Sequence, residues 1–180
     1  MMRVEQIMTR NVRTCGPGDS LSTAARIMWE ADCGCVPVVE TENGDARVVG
    51  VITDRDICMA AYTQGLPLAA IPVGSAMSRN VVACRTSDSV ADTARLLQQH
   101  RIHRVPVLDD SGRLAGIVSV NDLARLAAGE TGRKGIGYEL TEMLASICEP
   151  RWVRTPPPAA AVATSTVRKS LPAQIAARQT

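Results

Sequence analysis

The sequence has few aromatic side chains and no long apolar run. Phenylalanine is absent and aromatic residues make up 2% of the chain against 46% hydrophobic residues in all, so the interior must be built from Val, Ile, Leu, Ala and Met. This scarcity of rings argues against the stacking platforms that hold single-stranded nucleic acid. No stretch approaches the roughly twenty apolar residues of a membrane span. Arg3, Glu5 and Gln6 stand where a signal peptide would have its apolar core, so we expect a cytoplasmic protein without a membrane partner.

Acidic residues are missing from the end of the chain. Residues 1–150 hold fifteen Lys and Arg against eighteen Asp and Glu, a net charge of −3, whereas residues 151–180 hold five basic residues and no acidic one. An acidic body is not expected to bind nucleic acid. The stretch after Thr155 is rich in Pro and Ala, which predicts a disordered basic tail over 151–180.

The sequence also lacks the usual motifs of catalysis and metal binding. It has no Cys-x-x-Cys pair and only two histidines, His100 and His103, which does not favour a structural zinc site. It has no nucleophile beside a base, no glycine-rich Walker loop and no catalytic carboxylate cluster, so we expect no enzyme. The six cysteines are expected to be reduced thiols. The alternative of a redox or metal sensor depends on four of them: Cys15, Cys33, Cys35 and Cys84.

What the sequence does contain is an internal repeat. A shift of 69 residues places Met8 on Met77 and gives twelve identities in the 32 positions from Met8 to Val39. Gly50 and Gly116 match at a shift of 66, because the first copy has three extra residues where we predict a turn, and turn tips tolerate insertions. The chain is therefore two copies of one unit, and the repeat has to be recognised before a fold is assigned.

The hydrophobic pattern predicts strand, helix, strand, strand, helix in each copy. The predicted strands are 12–15, 35–39, 48–52, 81–84, 104–108 and 114–118. The predicted helices are 20–31, 54–62, 89–100, 120–128 and 138–148. We predict a first repeat over 1–65, a linker over 66–75, a second repeat over 76–129, and a loop and helix over 130–150. Trp29 lies on the first helix, where it is expected to pack in the core or at an interface.

One motif occurs in both copies. The runs Gly50-Val51-Ile52-Thr53-Asp54-Arg55-Asp56 and Gly116-Ile117-Val118-Ser119-Val120-Asn121-Asp122 each predict a buried strand that leads into a helix. A hydroxyl residue followed three places later by an acid is typical of a capping box, and a single copy would be read as structural. A helix N-terminus with unpaired N–H groups also suits a phosphate, and an aspartate one turn later can accept two hydrogen bonds from a ribose. Two copies at matching positions favour a binding site.

The duplicated motif, together with Val-Pro-Val at the second strand of each copy, resembles the CBS-domain family. The likeness covers about residues 4–128. It implies an α/β (α+β) fold of two tandem β-α-β-β-α repeats related by a pseudo-two-fold axis, known as a Bateman module. Such modules bind AMP, ADP, ATP or S-adenosylmethionine, regulate a partner protein and stack into flat dimers through their helices. The chain is thus expected to be a homodimeric regulatory module, and a structural interaction module without a ligand stays an alternative.

The resemblance also implies two ligand clefts, each built from both repeats. The first takes Thr53, Arg55, Asp56, Ser78, Val81, Ile102, His103, Arg104, Val105 and Pro106. The second takes Ser119, Asp122, Thr9, Val12, Cys33, Gly34, Cys35, Val36 and Pro37. Arg55, Arg104 and His103 could balance a polyphosphate, and Val81 and Ile102 could hold the base. The second cleft lacks these cations, so it is expected to be weak, empty or suited to a less charged nucleoside.

Overall fold

The computed structural model describes residues 2–42, 45–129 and 136–148, and all of them belong to one compact unit, Met1–Glu149. The helices are α1 (Leu21–Glu30), α2 (Asp54–Gln64), α3 (Val90–His100), α4 (Val120–Gly129) and α5 (Ile136–Cys148). The strands are β1 (Cys35–Glu42), β2 (Asp45–Thr53), β3 (Cys84–Arg85), β4 (Arg104–Leu108) and β5 (Leu114–Ser119). The mixed α+β fold is the predicted one. The predicted tail, and the loop predicted between α4 and α5, lie outside the described residues.

The first helix of each repeat begins at the serine that the sequence indicates. The Ser20 hydroxyl accepts the backbone N–H of Thr23 at 3.2 Å, and the Ser89 hydroxyl accepts that of Asp92 at 3.0 Å. Such a bond satisfies one of the N–H groups that a helix start leaves unpaired. Because the caps correspond, α1 and α3 present matching faces to the two cores.

Each repeat is built on an antiparallel hairpin, β1 with β2 and β4 with β5. In the second repeat β3 adds a parallel strand beside β4, whereas in the first repeat Cys15 forms only a single parallel bridge to Val38. The strands predicted at 12–15 and 81–84 are therefore wrong in extent. Val12 and Val81 each donate the backbone N–H to the carbonyl two residues earlier, at 2.9 and 3.1 Å, and this tight turn removes them from a ladder.

The segment that leads into each repeat packs in the core of the other repeat. Val4 and Met8 belong to the core of the second repeat, while Val73 and Met77 belong to that of the first. Ile71 and Val73 have no exposed surface, although the sequence places both in the predicted linker. Both repeats therefore depend on one another for a complete core.

A glycine lies where each leading segment crosses the hairpin of the other repeat. A Cβ atom on Gly116 would lie 2.8 Å from the backbone oxygen of Thr9 and 2.7 Å from Sδ of Met8. A Cβ atom on Gly50 would meet Met77 Sδ at 2.6 Å and the Ser78 carbonyl at 3.0 Å. The glycine that opens each copy of the motif is therefore required by close backbone approach.

The helical faces of the two repeats differ. Helix α5 packs against α3 and α4, and its Met143 and Ile147 side chains are buried in the second core. No helix of the described part of the chain covers the corresponding face of α1 and α2 in this way, and Trp29 on α1 is 88% exposed. The prediction that Trp29 packs in the core is wrong, while its role at an interface stays a prediction.

We expect Gly116→Ala to destabilise the chain by about 1–3 kcal/mol, because the added methyl group overlaps a backbone oxygen that is fixed by the crossing. Urea unfolding followed by circular dichroism measures the change in unfolding free energy. Gly18→Ala is the control, since nothing lies within 4 Å of a Cβ at Gly18. Equal unfolding free energies for the two variants would contradict the close crossing.

Candidate functional site

The start of α2 is closed by a reciprocal pair of side chains. Oδ2 of Asp56 accepts the backbone N–H of Thr53 at 2.9 Å and its hydroxyl at 2.7 Å, while Thr53 Oγ1 accepts the Asp56 N–H at 3.3 Å. The predicted capping box is confirmed. These bonds use one carboxylate oxygen, and Oδ1 of Asp56 has no hydrogen bond within the described residues. That oxygen is available to a ligand hydroxyl.

The start of α4 has the same pair with one addition. Oδ2 of Asp122 accepts the backbone N–H and the hydroxyl of Ser119, at 2.7 and 2.6 Å. Its Oδ1 accepts from the guanidinium of Arg125, one turn further along α4. The sequence analysis missed Arg125, although an acid and a base three residues apart on a helix are a recognisable pairing signal. Oδ2 therefore makes the same bonds in Asp56 and Asp122, whereas within the described residues Oδ1 accepts a hydrogen bond in Asp122 and not in Asp56.

The backbone N–H groups at the start of α2 are already paired. The Asp54 N–H donates to the Gly34 carbonyl at 3.3 Å, and the Arg55 N–H donates to Oδ1 of Asp54 at 2.7 Å. The expectation of unpaired N–H groups for a phosphate is therefore wrong at these positions, because Asp54 folds back over its own helix end. What remains for an anion is the positive end of the helix dipole and nearby cations.

The segment that crosses each hairpin brings a residue of the other repeat close to each cap. Ser78 and Val51 exchange backbone hydrogen bonds at 3.0 and 2.9 Å, two residues before Thr53. Thr9 and Ile117 exchange equivalent bonds at 3.0 Å, two residues before Ser119. Ser78 and Thr9 are exposed. These bonds bring Ser78 and Thr9 close to the caps of the opposite repeat, while the two clefts themselves stay a prediction.

Three basic or titratable side chains of the predicted first cleft lie near the surface. Arg55 and His103 are exposed and Arg104 is half-buried. Neither the Arg55 nor the Arg104 guanidinium has a hydrogen-bond or ion-pair partner within the described residues. Two unpaired guanidinium groups are suited to bind phosphate oxygens.

A pocket of about 600 Å³ lies beside the start of α2, within the range of small-molecule sites. Its wall is formed by Ala25, Met28, Trp29, Asp32, Cys33, Gly34, Asp54, Ile57, Cys58 and Arg104. Arg104 is the contribution of the second repeat to this wall, as the first cleft requires. Thr53 and Asp56 do not line the pocket, so this cavity alone does not define the predicted first cleft.

The remaining predicted residues differ in how far a ligand can reach them. Val36 and Val105 have no exposed surface, and Pro37 and Pro106 are buried beside them. These four residues can support a cleft wall only from within the cores. Val12, Val81 and Ile102 are half-buried. Gly34 contacts Asp54 of its own repeat, so the assignment of Cys33, Gly34 and Cys35 to the second cleft stays a prediction.

Buried thiols in this chain are poor nucleophiles. Burial raises the pKa of Cys35 to about 11, although Arg104 opposes the shift. Burial also raises the pKa of Cys15 and of Cys84 to about 11, with Asp19 and Asp88 adding to it. A thiol with such a pKa is protonated near neutral pH, and the thiolate is the reactive form. Within residues 2–42, 45–129 and 136–148, no three His, Cys, Asp or Glu side chains are grouped to hold a metal ion.

The fold and the caps define a tandem-repeat module with two matching capped helices. The strand before each of these helices is crossed by the leading segment of the opposite repeat. A family comparison identifies the module: the CBS domain model matches residues 4–62 and 73–129. The chain belongs to the CBS-domain family. The CBS domain-containing protein YhcV of Bacillus subtilis is 36% identical over 124 residues, which are 69% of this chain and 84% of YhcV.

Solved structures of CBS pairs have the same fold. The CBS domain pair of protein MJ0100, in complex with 5′-methylthioadenosine and S-adenosyl-L-methionine, matches with a TM-score of 0.64 and 29% identity, covering 72% of this chain and 98% of that one. CBSX2 in complex with AMP matches with a TM-score of 0.62 and 27% identity, covering 73% and 99%. Hypoxic Response Protein I, with two coordinated zinc ions, matches with a TM-score of 0.61 and 29% identity, covering 69% and 98%.

Some relatives are enzymes, but only a small part of each is matched. Homoserine O-acetyltransferase of Methanococcoides burtonii is 34% identical over 123 residues, which are 68% of this chain and 24% of the enzyme. The match therefore concerns one part of a larger protein. No helix among the described residues has the length and apolar character needed to cross a bilayer.

We expect Cys15, Cys35 and Cys84 to resist a disulfide reagent near neutral pH, because the raised pKa and burial leave almost no accessible thiolate. Cys58 and Cys148 are exposed and should react first. Peptide mass spectrometry after timed labelling assigns each rate, and the unfolded chain, in which all six thiols react, is the control. Rapid labelling of Cys35 in the native protein would support the redox alternative instead.

Proposed function

We propose that the chain is a regulatory module that binds an adenosine-containing ligand, namely AMP, ADP, ATP or S-adenosylmethionine, and modulates a partner protein. The observation that carries the proposal is the duplicated cap, in which a hydroxyl and an aspartate at a helix start lie beside a segment of the opposite repeat. MJ0100 and CBSX2 hold adenosine compounds on the same fold, which supports this ligand class. A cytoplasmic location stays a prediction from the sequence.

In the first cleft, Asp56 would bind the ribose. Its Oδ2 is held by Thr53, which fixes the carboxylate, and Oδ1 faces no competing donor of the described chain. Arg55 and Arg104 would bind phosphate oxygens at the positive end of α2, and His103 is proposed to add to the positive charge of the cleft. Val81 and Ile102, both half-buried, would contact the base. Ser78 would contribute from the crossing segment.

Regulation would follow from unequal affinity for two arrangements of the module or of its complex with the partner, since a ligand shifts an equilibrium only by its differential affinity. The role needs no catalytic group, and we propose none. Hypoxic Response Protein I holds two zinc ions, whereas the described residues of this chain contain no group of three His, Cys, Asp or Glu side chains placed to hold a metal ion.

We expect at least one of AMP, ADP, ATP, S-adenosylmethionine and NAD to raise the melting temperature, and Asp56→Ala to abolish the rise. A ligand at a hundred times its dissociation constant adds about 2.7 kcal/mol to the unfolding free energy. Differential scanning fluorimetry measures the shift for each chain with and without ligand, so that the cost of losing the cap itself cancels.

Asp92→Ala is the matched control for this experiment. Asp92 also accepts a serine hydroxyl at a helix start, at 2.6 Å from Ser89, but it lies at the start of α3, outside both predicted clefts. Its ligand-induced shift should equal that of the wild type. If no compound of the panel shifts the wild-type transition, the proposed nucleotide binding is wrong.

We further propose that two copies of the chain associate through the open face of the first repeat. Trp29 and Tyr62 on this face are 88% and 83% exposed, and Leu66 beside them is 50% exposed. The internal repeat indicates how such a face is used, since α5 covers the corresponding helices of the second repeat. A second copy presenting the same face would bury these rings about a two-fold axis. Among the described helices, α5 covers this face in the second repeat and leaves it open in the first.

We expect Trp29→Glu to convert the dimer into a monomer, because a buried charge without a partner opposes association. Light scattering coupled to size-exclusion chromatography gives the mass. Gln98→Glu is the control, because Gln98 occupies the repeat position of Trp29 on α3. A monomeric wild type, or a dimer lost equally in both variants, would contradict this interface.

A further inference from the structure

Arg125 closes the second cleft, and we propose that it limits the chain to one adenosine ligand. This inference depends on the proposed function, because it assigns the difference between two sites that the function requires. It starts from the two aspartates, Asp56 and Asp122, whose Oδ2 atoms make the same bonds to the preceding hydroxyl residue. The remaining oxygen of each is the one that a ribose hydroxyl would use.

That remaining oxygen is open in one repeat and occupied in the other. Oδ1 of Asp122 accepts from the Arg125 guanidinium, whereas Oδ1 of Asp56 has no donor among the described residues. Position 125 corresponds to Met59 in the first repeat, at the shift of 66 that matches Asp56 with Asp122. A thioether cannot donate a hydrogen bond, so the two repeats differ at the residue that decides whether the carboxylate is free.

The burial of Asp122 makes its ion pair with Arg125 harder for a ligand to displace. Asp122 is 7% exposed, while the Arg125 side chain that pairs with it is 73% exposed. A ribose hydroxyl would have to displace a charged donor from a carboxylate that water reaches poorly, and bonds to charged groups are the stronger ones. Because the arginine itself is largely solvated, we expect the cost of displacing it to be small for a charged hydrogen bond. The resulting loss of ligand affinity is about tenfold.

The two predicted clefts also differ in their charged residues. Arg55 of the first motif is replaced by Asn121, and Gly34 and Cys35 stand at the repeat positions of His103 and Arg104. Arg125, one turn after Asp122 on α4, is engaged by that aspartate. Arg125 therefore acts as a positioning residue that holds the aspartate away from a ligand.

The test is the number of ligands bound, measured by isothermal titration calorimetry with AMP and, separately, S-adenosylmethionine. The wild type should bind one ligand per chain, and Arg125→Met should bind two, the second site tightening by about tenfold or more. Arg125→Lys keeps a cation at this position and should stay at one. Met59→Arg should lose the first site, and the double variant Met59→Arg/Arg125→Met should bind one ligand, in the second cleft.

Tyr62→Glu is the control for the exposed face on which Met59 lies, because Tyr62 is one turn from Met59 on α2 and does not line the pocket beside the start of that helix. It should bind one ligand per chain whatever its oligomeric state, so that a loss of binding in Met59→Arg is not attributed to dissociation. Circular dichroism melts of all variants confirm that each is folded at the titration temperature.

The outcomes separate the inference from the proposed function. A wild type that binds neither compound contradicts the proposed function, and the inference falls with it. A wild type that binds two ligands equally, or an Arg125→Met chain that still binds one, overturns the inference alone. Loss of a bound ligand in Arg125→Met would also overturn it, because the arginine would then be a ligand contact.

Discussion

The close crossing of each leading segment over a glycine of the other repeat is the constraint on which the rest of the structure depends. At Gly116 the backbone oxygen of Thr9 lies where a side chain would begin, and Gly50 stands in the same relation to Met77 and Ser78. The crossing exchanges core residues between the repeats, so that neither core is complete alone. It also places a residue of one repeat two positions from the cap of the other. Any ligand site at the caps would therefore include residues of both repeats.

The caps show how a carboxylate can close a helix start with one oxygen and keep the other free of hydrogen bonds within the described residues. Asp56 uses Oδ2 to close the start of α2, and the two bonds from Thr53 hold the side chain in a single orientation. A group that is fixed before binding loses less entropy when a ligand arrives. In the second repeat the same design is present, but Arg125 takes the second oxygen of Asp122. A single position on the following turn therefore separates a free carboxylate from an engaged one.

The sequence predicted the fold well where the signal was local or repeated. Matching serines and the Thr53 and Ser119 motifs located four helix starts, and β4 was predicted with its observed bounds. It overestimated the strands at 12–15 and 81–84, because the backward turns at Val12 and Val81 leave no signal in the hydrophobic pattern. The burial of Ile71 and the exposure of Trp29 depend on which segment packs against which face. That is a tertiary property, and helical spacing alone does not contain it.

The exchanged segments also restrict how a ligand could act on this module. If the repeats were independent bodies, a ligand could change their separation, but Val4 and Val73 are each fully buried in the opposite core. Separation would expose both cores and is therefore costly. Helix α2 offers a shorter route from the cleft to the open face. Its first turn contains Asp56, and Tyr62, near the other end of the helix, lies on the open face. A small shift of α2 on binding of the proposed ligand would change the surface through which we propose that a second copy associates. Coupling between cleft and interface would then require one rigid helix and no rearrangement of the cores.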